Sequence, residues 1–176
     1  MDFFLSLEQE QIVEAIERTC APFDADYWLQ KDRDGSFPHE LYSALAESGW
    51  LGIAMPSEYG GAGLGIFEAA LMMHTISGTG AGLSGASTVH MNIFGLHPVV
   101  VFGRDEQKQR MLPPLIAGKD KACFAVTEPN TGLNTLKLKT FAERQGDHYI
   151  VHGQKVFIST AQEANKILLL ARTKPI

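Results

Sequence analysis

Cysteine is scarce here: Cys20 and Cys123 are the only two, they sit in unlike contexts, and no CxxC spacing occurs. Neither a disulfide framework nor a thiolate metal site is indicated. Cys123 could be imagined as a nucleophile, but its neighbours Ala122, Phe124, Ala125 and Val126 make it read as an inert strand thiol. Basic charge is also thin. The net charge is −5, and Lys and Arg come as scattered pairs such as Lys137 with Lys139. No patch could neutralise a run of phosphates, which argues against a nucleic-acid partner. No stretch approaches the roughly 20 apolar residues of a membrane span. Met1-Asp2-Phe3-Phe4 brings an early acid where a leader needs a basic region, so a cytoplasmic location is the expectation. The six histidines lack metal-ligand spacing; His90 and His97 have no carboxylate between them. Glu58, Glu68 and Glu128 are not paired with a second candidate acid or base, so structural roles are expected for all three.

What the chain does have is apolar residue, 45% of its 176 positions, enough for one good core or two small ones. From Leu5 to Cys20 the apolar positions Leu7, Ile12, Val13, Ile16 and Cys20 recur at helical spacing, with Ser6 as N-cap and Pro22 soon after the end. A second helix is predicted from Pro38 through Leu41, Leu45 and Leu51, its main run closed by Gly49. MPSEYGGAGLG, residues 55–65, breaks helix and strand alike before a further helix through Phe67, Leu71, Met72 and Ile76. Small residues dominate from Gly78 to Ser87. Helix resumes from Ala86 to about Phe94, and again from Asp105 to Ile116 with acids in the first turn.

After Lys121 the pattern changes. FAVT, LKLKTFAER, HYIVHGQKVFIS and KILLLART read as short strands separated by turn signals at Pro129 to Gly132, Gln145-Gly146-Asp147 and His152-Gly153. The expected class is α+β: an all-α helical domain over 1–120, then a partial antiparallel β-sheet over 121–176. Such a half-sheet leaves edges unpaired and one face uncovered, which suggests the front part of something larger. Gly80-Ala81-Gly82-Leu83-Ser84-Gly85 matches G-x-G-x-x-G, with Asp105 about twenty residues on. EAALMMHTIS before it reads as helix rather than strand, and His97-Pro98 breaks the required crossover. A nicotinamide-binding domain is therefore the weaker reading; close helix approach, or a loop beside a ligand, suits the glycines better.

Three fragments raise the specificity together: MPSEYGGAGLG, CFAVTEPNTGLNT, and GDHYIVHGQKVFISTA about twenty residues later. Their order resembles the acyl-CoA dehydrogenase family of flavoenzymes, whose pattern reads T-E-P-x-A-G-S-D and then G-x-K-x-W-I-T-N-G, here Gly153 to Ala161. The resemblance implies a three-part fold of helical domain, middle β-domain and C-terminal four-helix bundle, of which this chain covers the first and the opening of the second. It implies FAD as cofactor, an acyl-CoA as substrate, an electron-transfer flavoprotein or similar acceptor, and a homo-oligomer. Its chemistry is removal of an α-proton by a glutamate with β-hydride transfer to the flavin, giving a trans-2-enoyl-CoA. That glutamate lies in the C-terminal bundle, so no residue of this chain is named as catalytic.

By the same match, the backbone of Val126 and the backbone and hydroxyl of Thr127 would face the pyrimidine side of the flavin. Ser159 would offer its hydroxyl near N5. Phe157, followed by Ile158, would pack against the ring system where the family has Trp. Phe124, Gly132 and Leu133 would complete the wall and phosphate-side turn, with Gly132 letting the backbone approach closely. Leu133 stands in place of the usual serine at a substrate-side position and Asn134 in place of aspartate, so anchoring of the acyl-CoA is expected to differ. Ser159 in place of threonine keeps the hydroxyl but loses the methyl that limits its rotation. The rival to the enzyme reading is a non-catalytic binding or assembly module derived from the same fold.

Overall fold

The computed structural model describes residues 4–174; the Met1–Phe3 start weighed above as a leader, and Pro175-Ile176, lie outside it. The chain divides into two compact units, meeting between Lys121 and Ala122.

Helix α1 (Leu7–Cys20) begins where the sequence asks. Ser6 Oγ accepts from the Gln9 N–H at 3.3 Å, and the Gln9 side chain accepts from the Ser6 N–H at 3.0 Å. This reciprocal cap satisfies two donors that a helix start leaves open. Ile12, Ile16 and Cys20 are buried on one face, in a core shared with Ala69, Met72 and Ile76 of α4 (Ile66–Ile76). Glu68 accepts from the Gly65 N–H at 3.0 Å and from the Gln9 amide at 3.1 Å, so it caps α4 and ties it to α1. Leu41 and Leu45 of α3 (His39–Glu47) complete this face, with Pro38 at the N-cap.

Residues 55–65 are a folded turn. Ala62, Gly63 and Leu64 donate to the carbonyls of Gly52, Met55 and Ile53 at 2.8–3.0 Å, laying the glycine run back along the segment before it. A Cβ on Gly61 would fall into the Met55 backbone, so the close approach needs glycine there.

Three helical features depart from the sequence reading. Helix α2 (Ala25–Asp34) was not anticipated: it is capped by Asp24 and ended by Gly35 at φ 66°, but none of its residues is buried, so it shows no apolar stripe. Helix α5 (Gly82–Phe94) starts earlier than predicted, straight after a wide turn over Ser77–Ala81. Gly85 packs so closely on Ala81 and Ile76 that a Cβ there would collide. The run VVVF lies in α6 (His97–Phe102), with Pro98 in its first turn, where its missing N–H costs nothing. The glycine fingerprint thus follows a helix and precedes a helix; the strand that dinucleotide binding needs is not there. Helix α7 (Asp105–Ile116) closes the unit with Leu112, Leu115 and Ile116 buried. No helix among the described residues is long and apolar enough to cross a membrane.

The second unit contains β1 (Ala122–Ala125), β2 (Phe141–Gln145), β3 (His148–His152) and β4 (Lys166–Leu169). The hairpin β2–β3 is antiparallel, turning through Gly146 at φ 66°. The expectation of a wholly antiparallel sheet is corrected at β1 and β4, which pair in parallel from Ala122 opposite Lys166 to Ala125 opposite Leu169. The hairpin and a long irregular segment lie between them, supplying the crossover that parallel pairing requires. Beyond β4, Arg172 bridges to Phe141 in parallel and exchanges backbone bonds with Thr140 and Ala142 at 2.8 and 2.7 Å. Arg172 thereby links the β4 segment to the hairpin.

Two predicted strands are shorter than read. In LKLKTFAER the first half makes a 3-10 turn over Thr135–Lys137. In HYIVHGQKVFIS the strand stops at His152, and residues 153–161 are irregular.

Candidate functional site

The TEP corner is built around a buried carboxylate. Glu128 and Thr131 exchange backbone bonds at 2.9 and 3.1 Å, closing a tight turn through Pro129-Asn130. The Glu128 side chain, only 6% exposed, accepts from the N–H groups of Lys139 and Thr140 at 2.6 and 2.8 Å and from the Thr140 hydroxyl at 2.5 Å. Lys155 completes the set with an ion pair at 3.0 Å. Burial pushes the Glu128 carboxyl up, but these donors outweigh it and hold it at about 2.

Lys155 does a second thing. Its Nζ also donates to the Val126 carbonyl at 2.9 Å, and the Val156 N–H donates to the Thr127 carbonyl at 3.0 Å. The two motif fragments, far apart in sequence, are therefore in direct contact over Val126-Thr127-Glu128 and Lys155-Val156. Ser159 stands three residues beyond Val156, within about 11 Å along even a fully extended chain. Directly after the anchor the backbone bends. Phe157 has φ 57° and Thr160 φ 65°, the only non-glycine residues with positive φ among those described. Both are strained, and such backbone is retained where surrounding structure fixes it.

Phe124 lies in β1, half-buried, and Val126 and Thr127 follow just beyond the end of that strand, both half-buried. Gly132 and Leu133 sit in the bend after the TEP corner; Leu133 is fully exposed, and a Cβ on Gly132 would meet nothing in this chain. The Phe157 ring is 93% exposed, Ile158 is half-buried, and Ser159 is exposed. Among the described residues, the Thr127 and Ser159 hydroxyls make no hydrogen bond within the chain, and their own N–H groups donate to nothing. The corner thus presents an open aromatic face beside uncommitted donors, a donor set suited to a flat, polar-edged aromatic group.

Lys155, Thr140 and Arg172 escaped the sequence reading. Arg172 Nε donates to the Leu138 carbonyl at 2.7 Å and its terminal nitrogen to the Leu136 carbonyl, bracing the connector that carries Thr140. A lone lysine inside an apolar run, with a lone glutamate inside another, was the available signal for the Glu128–Lys155 pair. Cys123 is buried and its thiol is pushed up by burial, which removes the thiolate that a nucleophile needs. No cluster of His, Cys, Asp and Glu among the described residues could hold a metal ion.

The family description "Acyl-CoA dehydrogenase, N-terminal domain" matches residues 6–119, and "Acyl-CoA dehydrogenase, middle domain" matches 123–175. The chain belongs to the acyl-CoA dehydrogenase family. It is 36% identical over 172 residues to the acyl-CoA dehydrogenase FadE12 of Mycobacterium tuberculosis, covering 98% of this chain and 44% of that protein. Among solved structures, the FAD complex of PigA superposes with a TM-score of 0.90 at 28% identity over 100% of this chain and 46% of the other. A structure described as the electron transferring flavoprotein of Acidaminococcus fermentans matches with a TM-score of 0.90 at 30% identity, over 99% of this chain and 46% of the other. The chain spans a little under half the length of the proteins it matches.

Proposed function

We propose that these 176 residues form the flavin-facing part of an FAD-dependent acyl-CoA dehydrogenase acting in the cytoplasm on the α,β-carbons of an acyl-CoA thioester. The observation that carries this reading is the contact of Val126-Thr127 with Lys155-Val156, which brings the two motif stretches together and leaves the Phe157 ring and the two hydroxyls open. Bound FAD would supply the acceptor for the β-hydride. The chain's share is to hold and polarise that group. Thr127 and Ser159 would donate to its polar edge, where preset donors stabilise charge as it develops without reorganisation. The Phe157 ring, with Ile158 beside it, would cover one face and keep water off. Phe124 and Val126 would continue that wall.

Gly132 would let the backbone come close to the phosphates, since nothing within the chain itself demands glycine there. Leu133, fully exposed, would meet the acyl-CoA with an apolar surface where a hydroxyl is usual. The reading assigns no proton-abstracting base to these residues, so the 176-residue polypeptide alone is expected to transfer no electrons from an acyl-CoA to a dye. An electron-transfer flavoprotein or similar carrier would take the electrons from the whole enzyme, working as a homo-oligomer.

Absorbance tests the reading. A purified chain that carries or takes up FAD and shows a flavin band, which vanishes in a Thr127→Val, Ser159→Ala double variant, is the expected result. A chain that is colourless once free flavin has been removed after incubation with excess FAD overturns it in favour of the non-catalytic module.

A further inference from the structure

Lys155 joins the two halves of the proposed flavin corner, through its side chain and through its chain neighbour alike. Its side chain is 9% exposed, and its ammonium spans Glu128 Oε1 at 3.0 Å and the Val126 carbonyl at 2.9 Å. Glu128 is held in turn by three donors from Lys139 and Thr140. One residue further on, Val156 bonds Thr127, and the next residue is the strained, exposed Phe157. A left-handed conformation costs a non-glycine residue about 1–2 kcal/mol, so something adjacent must hold it. The nearest fixed point is the buried ion pair.

The strand ladders are not built from this pair, although Glu128 also holds the Lys139 and Thr140 N–H groups at the entry to β2. β1 pairs with β4 and β2 with β3 through their own backbones, and residues 153–161 belong to neither ribbon. A buried ion pair is also weak as pure stabiliser, because desolvating two charges offsets most of their attraction, and apolar replacement of both is often neutral. Its use lies in direction.

We propose that Glu128 and Lys155 are positioning residues, a buried clamp that registers the 153–161 segment against the TEP corner and fixes the outward Phe157 bend. This rests on the flavin reading for its purpose but not for its geometry.

The test uses the full chain in three forms: wild type, Lys155→Arg, and the double variant Glu128→Gln with Lys155→Met, in which the glutamine keeps an acceptor oxygen for the Thr140 donors. The double variant removes both charges together and so avoids the unfolding that an unpaired buried charge would bring. Its melting temperature is expected to stay near wild type, while the Val156 amide exchanges with solvent at least about tenfold faster and the β1–β4 amides keep their protection. Lys155→Arg is expected to restore Val156 protection. Retained Val156 protection and unchanged Phe157 and Ser159 amide shifts in the double variant would overturn the clamp, as would equal loss of protection across all four strands. Adding FAD to each form separates the two ideas. If wild type fails to respond to FAD yet the exchange pattern changes as described, the flavin reading falls and the clamp stands; if wild type responds and the double variant responds identically, the clamp falls and the flavin reading stands.

Discussion

Glu128 is where single-residue chemistry is sharpest. Its carboxyl is held at about 2 in the folded chain, against an ordinary glutamate value near 4.3 in an unfolded one. A folded value below the unfolded value means that the stabilisation is fully present above the unfolded pKa and is lost as pH falls through the folded one. Unfolding followed by circular dichroism should therefore show a loss of β-unit stability between about pH 4.5 and pH 2 that is absent in Glu128→Gln. That variant leaves Lys155 buried without its counter-charge and should cost about 3 kcal/mol at neutral pH, read from denaturant unfolding. Phe157→Ala predicts the opposite split. The ring is exposed, so stability should change by less than about 0.5 kcal/mol, while FAD affinity drops roughly 3- to 10-fold through the lost stacking surface. The residues proposed for the flavin were named from motif identity, since nothing in hydrophobic pattern marks Thr127 or Ser159. Glu128 and Lys155 were assigned no site role for a related reason: their pairing is long-range, and a sequence read locally contains no term for it.

Elements were legible to the extent that they bury a stripe. Helix α1 has Ile12, Ile16 and Cys20 at helical spacing and a serine cap, and both signals can be read directly; α2 sets only a partly buried Trp28 against the core and buries no residue fully, so it left no such pattern. Ser6→Ala should lower the melting midpoint through loss of about 1 kcal/mol. The strands were legible in part because β-branched and aromatic runs mark extended chain, and β3 ends at the His152-Gly153 turn signal, but the irregular course of residues 153–161 was not legible. There the Lys155 anchor and a glycine at φ 158°, packed on the Thr140 side chain, take the backbone out of the sheet against its local preference. The glycine turn over residues 55–65 is likewise decided by contact, and Gly61→Ala, whose methyl would strike the Met55 backbone, should cost about 2–3 kcal/mol by the same denaturant assay.

At the scale of the whole molecule, the change from helical to extended pattern was visible in composition alone, and both matched family segments fall on either side of it. The parallel pairing of β1 with β4 was not visible, because strand direction depends on the crossover between them and not on the residues within them. The β-unit leaves Tyr149 and Val151 on β3, and Ile167 and Leu169 on β4, 40–59% exposed, apolar strand positions of the kind that promote self-association. Ile167→Lys with Leu169→Lys should raise the solubility limit of the 176-residue chain and leave its melting temperature within a few degrees.

The central claim is that the corner joined by Glu128 and Lys155 receives a flavin. Amide NMR of the isotopically labelled chain during titration with FAD tests it most directly. Saturable shifts concentrated at Thr127, Gly132, Phe157 and Ser159 are expected; saturable shifts confined to other residues, or none at millimolar FAD, would rule out a flavin in this corner.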